Sequence, residues 1–551
     1  MGTLSKYQII RGRKLYGIFS VFNSISFTLV TGNILSIYAL LLNASALVIG
    51  LINAFNFLSF FAIPLGRFLT KKHSIMKVYA RAWLARIACV TIMLPIPFFV
   101  SSGTPEIGIF CILLSNFGFN FFRGIGTIAN NPVINDLAPG KDRGSFLVFL
   151  SLSWNTAALL STLALAFLLQ WGDSLFILNA AVTIGIISGV ISSLILFKMP
   201  SSDTEHTTEA TNFSKNFLTA MHDRSFRLFM MAFMIIGFGV GMARPFIIVY
   251  AREVYRQPDS FITFITFFSS LGALCMGLVT RLFIDKIGAK PMYLLFTALT
   301  IASLIPAVIS PSIGNGIIIF IYLCLIAFVS NLGFSGEENA GQTYFFGLIP
   351  KESILDLSIV YFLVSGLAGA TGSLIAGVML DAFAQSGLSV TASYRLFFTI
   401  QIIIITTSFF IQLKLKALDS YSLKDALPLF FSMRDIRGLS LLYKLDRSST
   451  VRQKTVLLNE LRLSNTAVAA TNLSEHLLSP SFAVRSEAIA GMESLPTLNS
   501  HITDILIKEL TRGLYTTAYR AARILGNFKV KNAVPELLKH ISSEDYILAG
   551  E

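Results

Sequence analysis

The sequence predicts an all-α, polytopic membrane protein: twelve transmembrane helices in two six-helix bundles, followed by a cytoplasmic α-solenoid. Three observations predict it. Residues 16–415 contain twelve apolar runs, each near the length of about 20 residues that a bilayer crossing needs. A polar segment within 199–214 divides those runs six from six. After residue 419 the apolar runs shorten, acidic and basic residues mix, and a similar pattern returns at Arg452, Arg485 and Arg520, 33 and 35 residues apart.

Composition supports the first observation. Hydrophobic residues make up 54% of the 551 and charged residues 13%, about half the charged share of a soluble chain. Mean hydropathy is +0.70. The formal charge of +13 would suggest a nucleic-acid partner in a soluble protein. Here the basic residues sit in alternate loops, as the positive-inside rule requires, so the expected partner is the lipid bilayer and not nucleic acid.

The elements follow in order. Lys6, Arg11, Arg13 and Lys14 make residues 1–15 a short basic stretch on the cytoplasmic side. The first six runs lie near 16–42, 45–69, 78–100, 106–130, 144–170 and 174–198. The first is long and followed by many more, so it reads as a spanning helix and not a cleaved signal peptide. A linker, 199–225, joins the bundle 1–198 to the bundle 226–416. Within it, Phe217–Phe226 can lie at the interface. The second six runs lie near 226–251, 260–284, 290–310, 314–345, 356–382 and 394–415.

Loop charge tests this count. Arg67, Lys71, Lys72, Lys77, Lys141, Arg143, Lys198, Arg281, Lys286, Lys290 and Lys351 fall on one side; Arg252, Arg256 and Arg395 are the few on the other. Both termini are therefore expected in the cytoplasm. Short opposite loops suggest a bacterial inner membrane, and the chain is expected to act as a monomer.

Negative observations narrow the function. Cys89, Cys111, Cys275 and Cys324 all lie inside apolar runs, which suggests neither a disulfide framework nor a metal site. The chain has no G-x-x-x-x-G-K-[ST] loop, H-E-x-x-H, C-x-x-C or Ser/His/Asp arrangement, so neither an ATP-driven pump nor an enzyme is expected, and no cofactor is implied.

One connection carries a motif. Arg281-Leu-Phe-Ile-Asp285-Lys286-Ile-Gly288-Ala-Lys290 lies between the eighth and ninth runs. Asp285 can accept from backbone donors at a nearby helix start, and Gly288 permits the positive φ of a tight turn. The matching first-half stretch has Gly66, Arg67, Lys71 and Lys72, but Thr70 and His73 stand at the acid and glycine positions. The motif resembles the loop between helices 2 and 3 of each half of the major facilitator superfamily. Further likeness comes from Arg123-Gly124 followed by 135–144, from Gly336–Gly341 followed by 347–352, and from Gly372–Asp381.

The resemblance covers roughly residues 10–416. It implies two bundles that rock about a midplane site lined by helices 1, 4, 7 and 10. It also implies that Asp285, Lys286, Gly288 and Lys290, with Gly66 and Arg67 in the first half, form a gating motif, Asp285 bracing the inward-closed state.

Ionisable groups inside the spans are costly and default to functional candidates. Arg81 is close enough to a helix end to snorkel. Arg86 is deeper, and a structural pairing and a substrate contact are both open for it. Arg123 is a cavity candidate or a helix-end arginine. Arg244 precedes Pro245, which removes a backbone donor and can kink its helix. That position suits an anion site or outer gate, or an arginine reaching the headgroups. Glu337 and Glu338 are adjacent and so lie about 100° apart around their helix. A desolvated carboxyl can take up a proton near neutral pH, so one of them is a proton-coupling candidate; a fixed bridge to Arg123 is the alternative. Asn33 and Asn120 are polar groups able to reach the cavity, as are Asn23, Ser24, Ser26, Thr31 and Asn116.

The repeats at 419–551 look like HEAT-type helix pairs, with Asp545–Glu551 resembling the start of a further one. Solenoids bind proteins along their concave faces, so a cytosolic protein partner is expected there. The expected function is secondary active transport of a small anionic or zwitterionic solute by alternating access, coupled to protons. A membrane-anchored receptor or scaffold acting through the solenoid is the rival, and a lipid transporter or flippase the third reading.

Overall fold

In a bilayer every backbone donor and acceptor must be satisfied within the segment, and each described span adopts the helical solution. The computed structural model describes residues 5–70, 72–138, 142–200, 213–350, 354–418, 432–448, 450–464, 473, 476–477, 479–495, 500–511 and 517–551. Among these there is no β-strand. Most of the polar linker (201–212), Lys141, Lys351 and the side chains of Asp285 and Lys286 lie outside the described residues.

Twelve described spans are long and apolar enough to cross a membrane, in the places the sequence predicts. Span 1 joins α1 (Lys6–Val30) to α2 (Gly32–Leu41). Span 2 joins α3 (Ala46–Leu58) to α4 (Ile63–Thr70) through a 3-10 turn, Ser59–Ala62. Span 3 is α5 (Ile75–Val90) and α6 (Ile96–Ser101). Span 4 is α7 (Pro105–Thr127), followed by the short α8 (Asn130–Leu137). Spans 5 and 6 are α9 (Asp142–Leu168) and α10 (Ser174–Phe197). A separate helix, α11 (Phe213–His222), precedes the second set: α12 (Arg224–Glu253), α13 (Asp259–Ile287), α14 (Ala289–Ile309), α15 (Gly316–Leu348), α16 (Ile354–Gln385) and α17 (Val390–Leu413).

Two details refine the sequence reading. The basic stretch 1–15 is helical from Lys6 onward: Ser5 Oγ accepts from Gln8 N at 3.3 Å and Gln8 Oε1 from Ser5 N at 2.8 Å, a capping box that starts the helix early. Arg13 Nε then donates to the Leu137 carbonyl at 2.7 Å, joining α1 to α8. The connection placed at Arg281–Lys290 is also shorter than expected. α13 continues through Asp285 to Ile287, and the turn is Gly288 alone, at φ +98°. Glycine adopts that left-handed conformation without a Cβ penalty.

The described residues form two units, 1–277 with 293–418, and 278–292 with 419–551. In the first unit, α3 packs against α16, α1 against α10, α5 against α7, and α12 against both α16 and α17. Small residues let the backbones approach: a Cβ on Gly50 would meet the Ser373 carbonyl oxygen at 2.5 Å, the close packing typical of helices in lipid. An aromatic cluster of Tyr16, Phe19, Tyr79, Trp83 and Phe146 fills the first half beside α8.

In the second unit, α18 (Met433–Arg447) packs on α19 (Val451–Ser464), and α19 on α20 (Phe482–Glu493). α21 (Ser500–Thr511) packs on α22 (Ala518–Asn527), and α23 (Val534–His540) and α24 (Tyr546–Gly550) follow. Leu442, Leu458, Ile489, Leu506 and Leu525 supply its buried face. Arg485 donates to the carbonyls of Ser479 and Pro480 at 2.8 and 3.1 Å, and Arg520 to that of Ser486 at 3.3 Å. Arg485 thus bonds the turn that leads into its own helix, and Arg520 reaches back to α20.

Candidate functional site

Span 1 is interrupted where it would otherwise cross the bilayer unbroken. Gly32 sits at φ +60° and Thr31 is extended, which ends α1 and restarts the helix as α2. Two hydroxyls satisfy part of the freed backbone: Thr31 Oγ1 donates to the Phe27 carbonyl at 2.7 Å and Ser36 Oγ to that of Gly32 at 3.2 Å. Asn33 lies half-buried in the first turn of α2.

The first half carries two arginines in different settings. Arg86 on α5 is 1% exposed. Its guanidinium lies over the Trp83 ring (4.2 Å) and the Phe119 ring (4.7 Å) and donates to Asn23 Oδ1. The same Asn23 oxygen accepts from Trp83 Nε1 at 3.0 Å. Arg86 is therefore enclosed by its own half.

Arg123 on α7 is only half-buried. It donates to Asn56 Oδ1, to the Asn56 carbonyl at 3.3 Å and to Ser59 Oγ at 3.0 Å, and lies 5.4 Å from the Phe27 ring centre. All these partners are neutral. The alternative reading, a fixed bridge from Arg123 to a glutamate of α15, is not formed among the described residues. Asn56 and Ser59, which seat the guanidinium, carry no sequence signal beyond being polar in an apolar run.

Asn120, one turn before Arg123, is 2% exposed. Its Nδ2 donates to the carbonyl and Oδ1 of Asn116 at 3.0 and 2.8 Å, and Asn116 Nδ2 donates to the Ile52 carbonyl at 2.8 Å. This amide chain ties α7 to α3. The Oδ1 of Asn120 has no partner among the described residues.

The second half brings two predicted residues together. Arg244 of α12 and Glu338 of α15 form an ion pair at 3.5 Å, with their side chains 34% and 63% exposed. The Arg244 guanidinium also lies 5.6 Å from the Phe334 ring centre. Its neighbour Pro245 cannot donate to Gly241, four residues back, and that carbonyl instead accepts from Ser373 Oγ of α16 at 2.8 Å. The proline-bearing turn is thus held from the adjacent helix.

Glu337 differs from Glu338. It is 4% exposed, it lies within electrostatic reach of Glu338, Arg244, Tyr293 and Tyr361, and none of the described residues donates a hydrogen bond to it. The expectation that the two acids face different surroundings follows from their angular separation, and the structure places one enclosed and one exposed.

The described residues of the loop motif and of its first-half counterpart have clear backbone settings. Gly66 is buried in α4 where a Cβ would overlap the Ile125 carbonyl of α7, and Arg67 beside it is half-exposed. Lys290 lies in the first turn of α14, partly exposed. Among the described residues no group of three or more His, Cys, Asp or Glu side chains is placed to hold a metal ion.

A family model described as Major Facilitator Superfamily matches residues 16–373. A search of curated proteins gave no match. Among solved structures, the chain is similar to a mutant form of the nucleoside transporter NupG, with 14% identity and a TM-score of 0.61, covering 73% of this chain and 100% of that one. A D-xylose–proton symporter matches at 14% identity and a TM-score of 0.56, covering 75% and 99%. A POT family transporter in complex with 5-aminolevulinic acid matches at 12% identity and a TM-score of 0.56, covering 74% and 97%. The twelve spans, the matched model and the shared fold agree: the chain belongs to the Major Facilitator Superfamily, a multi-pass membrane protein with the fold of solute transporters.

Proposed function

We propose that this chain is a secondary active transporter that moves a small anionic or zwitterionic solute by alternating access, coupled to protons. The observation that carries this reading is Arg123, a half-buried cation in a span whose described partners are all neutral. A cation held only by neutral partners in a low-dielectric setting attracts an anionic ligand group. Arg123 and Arg244 take that group from the two halves, and Asn33 offers an amide at the break in span 1. Arg86 and Asn120 shape the wall from behind. Glu338, paired with Arg244, is placed to release its partner to the solute or to meet a solute ammonium. Glu337, enclosed beside it, exchanges the coupling proton.

Two proteins of similar fold support the reading by analogy: the POT family structure holds 5-aminolevulinic acid, and a proton symporter shares the architecture. The face that carries the chain's basic loops is read as cytoplasmic, with the helix pairs 433–550 on that side. Those pairs support a second role, the docking of a cytosolic protein that adjusts transport.

The test is flux into proteoliposomes under an imposed proton gradient, using a panel of amino acids, carboxylates and phosphorylated solutes. Arg123→Ala should lower uptake about tenfold or more, the loss expected when a charge-assisted contact is removed. If no solute of the panel is accumulated by the native protein while a cytosolic protein binds residues 433–550, the receptor reading replaces this one.

A further inference from the structure

Residue Asp381 ends span 11 at the end of the molecule opposite the chain's start, and it does not act there as a simple headgroup-level acid. Its Oδ1 accepts from Ala46 N at 3.1 Å and its Oδ2 from Leu47 N at 3.0 Å. These are the first two donors of α3, the helix that opens span 2. Ser45, at the N-cap of α3, makes no side-chain cap bond of its own. The first donors of a helix have no partner within the helix, so a carboxylate from 335 residues away in sequence completes this one, with the favourable sign of the helix dipole.

The contact sits at the top of a seam built for closeness. A Cβ on Gly377 would lie 2.6 Å from the Ala46 carbonyl oxygen and 2.8 Å from Leu47 Cα. One turn further along, Gly50 meets the Ser373 carbonyl, and deeper still Phe57 packs on Gly366 and Gly369. Phe60 and Phe362 close the run with ring centres 5.6 Å apart. Span 2 belongs to the first half and span 11 to the second, so this seam joins the halves. Near Asp381, Glu253 is occupied by Tyr394, whose hydroxyl donates to it at 2.8 Å. Both donors at the α3 start therefore belong to Asp381.

At the opposite end, the first-half copy of the loop motif has Thr70 and His73 at the acid and glycine positions. We propose that the Asp381 carboxylate on the amino end of α3 is a lock that holds the two halves together at this end. Breaking it is a step in each opening of the solute path there, a role that rests on the transport reading; the lock itself does not. With this contact made, the protein is held closed at the Asp381 end.

The experiment uses the full chain with its four cysteines changed to serine. Spin labels are placed at Ser102→Cys and Ser386→Cys, exposed turn residues at this end, one from each half. Distances are measured by electron–electron double resonance in lipid nanodiscs. The native background gives one dominant distance. Asp381→Ala raises the share of a longer distance about tenfold relative to the short one, the change expected for loss of a charge-assisted pair of hydrogen bonds. Asp381→Asn, which keeps one acceptor, gives a smaller rise. Gly377→Val reaches the same longer distance by wedging the seam instead of removing the carboxylate. A native-like distance distribution in Asp381→Ala, from a protein that elutes as a folded monodisperse species, would overturn the lock whatever Gly377→Val does. If Asp381→Ala does not fold, the same distribution in Asp381→Asn decides in its place. No flux enters this readout, so a protein that moves no solute still tests it, and a transporter with an unchanged distance in Asp381→Ala loses the lock and keeps the function.

Discussion

Ser373 of α16 donates its hydroxyl to the carbonyl of Gly241 on α12, 2.8 Å away. That carbonyl is the one orphaned by Pro245, four residues on. An unmet carbonyl in an apolar core costs about 1–3 kcal/mol, which defines the first prediction. Ser373→Ala lowers stability by about that amount, read as the midpoint of thermal unfolding in detergent. Pro245→Ala restores the donor, so Ser373→Ala costs much less in its presence. Equal costs in both backgrounds would show that the hydroxyl has some other purpose.

Arg86 and Asn23 give the second. The guanidinium is 1% exposed, stacked between Trp83 and Phe119, and Asn23 is the acceptor that it shares with Trp83. Removing one partner of a buried charge costs more than removing the charge itself. Asn23→Leu should therefore destabilise the protein by about 3 kcal/mol or more, while Arg86→Met costs less. A direct ligand contact by Arg86 would give a different pattern, in which Arg86→Met abolishes solute binding at unchanged stability; titration calorimetry beside the melting curves separates the two.

The two glutamates of α15 should separate in kinetics. Glu338 is 63% exposed and pairs with Arg244 at 3.5 Å, a bridge worth at most about 1 kcal/mol. Glu338→Gln leaves the melting temperature nearly unchanged and weakens solute binding. Glu337, 4% exposed, is assigned to the proton. Glu337→Gln abolishes accumulation against a gradient yet leaves solute exchange at equal concentrations intact. Loss of exchange as well would make Glu337 a binding group and not a coupling group.

The spans were legible because each is a long apolar run that lipid forces into a helix, and positions such as Gly288 because a tight turn needs positive φ. Residue pairings were less so. Arg123 and the glutamates looked like natural partners by charge, but the structure seats Arg123 on Asn56 and Ser59 and gives Glu338 to Arg244. Charge alone does not report which face of a helix a side chain takes, nor which neighbour reaches it. The contact between Asp381 and the start of α3 was hidden for the same reason: its acceptors are side-chain atoms, but its donors are backbone, which every residue carries. The break at Thr31–Gly32 was also missed, since a single glycine in an apolar run gives no sign that it has crossed to φ +60°.

Arg123 is followed by Gly124, and the packing supplies a reason for that order. A Cβ on Gly124 would overlap the Ser59 carbonyl and come within 2.9 Å of Ala62 Cβ, and Ser59 is the residue whose hydroxyl accepts from Arg123 at 3.0 Å. α3 and α7 can approach closely enough to seat the arginine only if residue 124 has no side chain. Gly124→Ala forces Ser59 and the 3-10 turn outward, which lengthens or breaks the Arg123 contact while the charge stays. Overpacking of this kind costs about 1–3 kcal/mol. The expected outcome is a lower melting temperature together with weaker solute binding, of the same selectivity as in Arg123→Ala. Ala62→Gly in the Gly124→Ala background removes the neighbouring side chain and keeps the clash with the Ser59 carbonyl, so it should not restore either property. A full restoration of binding there would show that side-chain crowding, and not backbone approach, sets the position of Arg123.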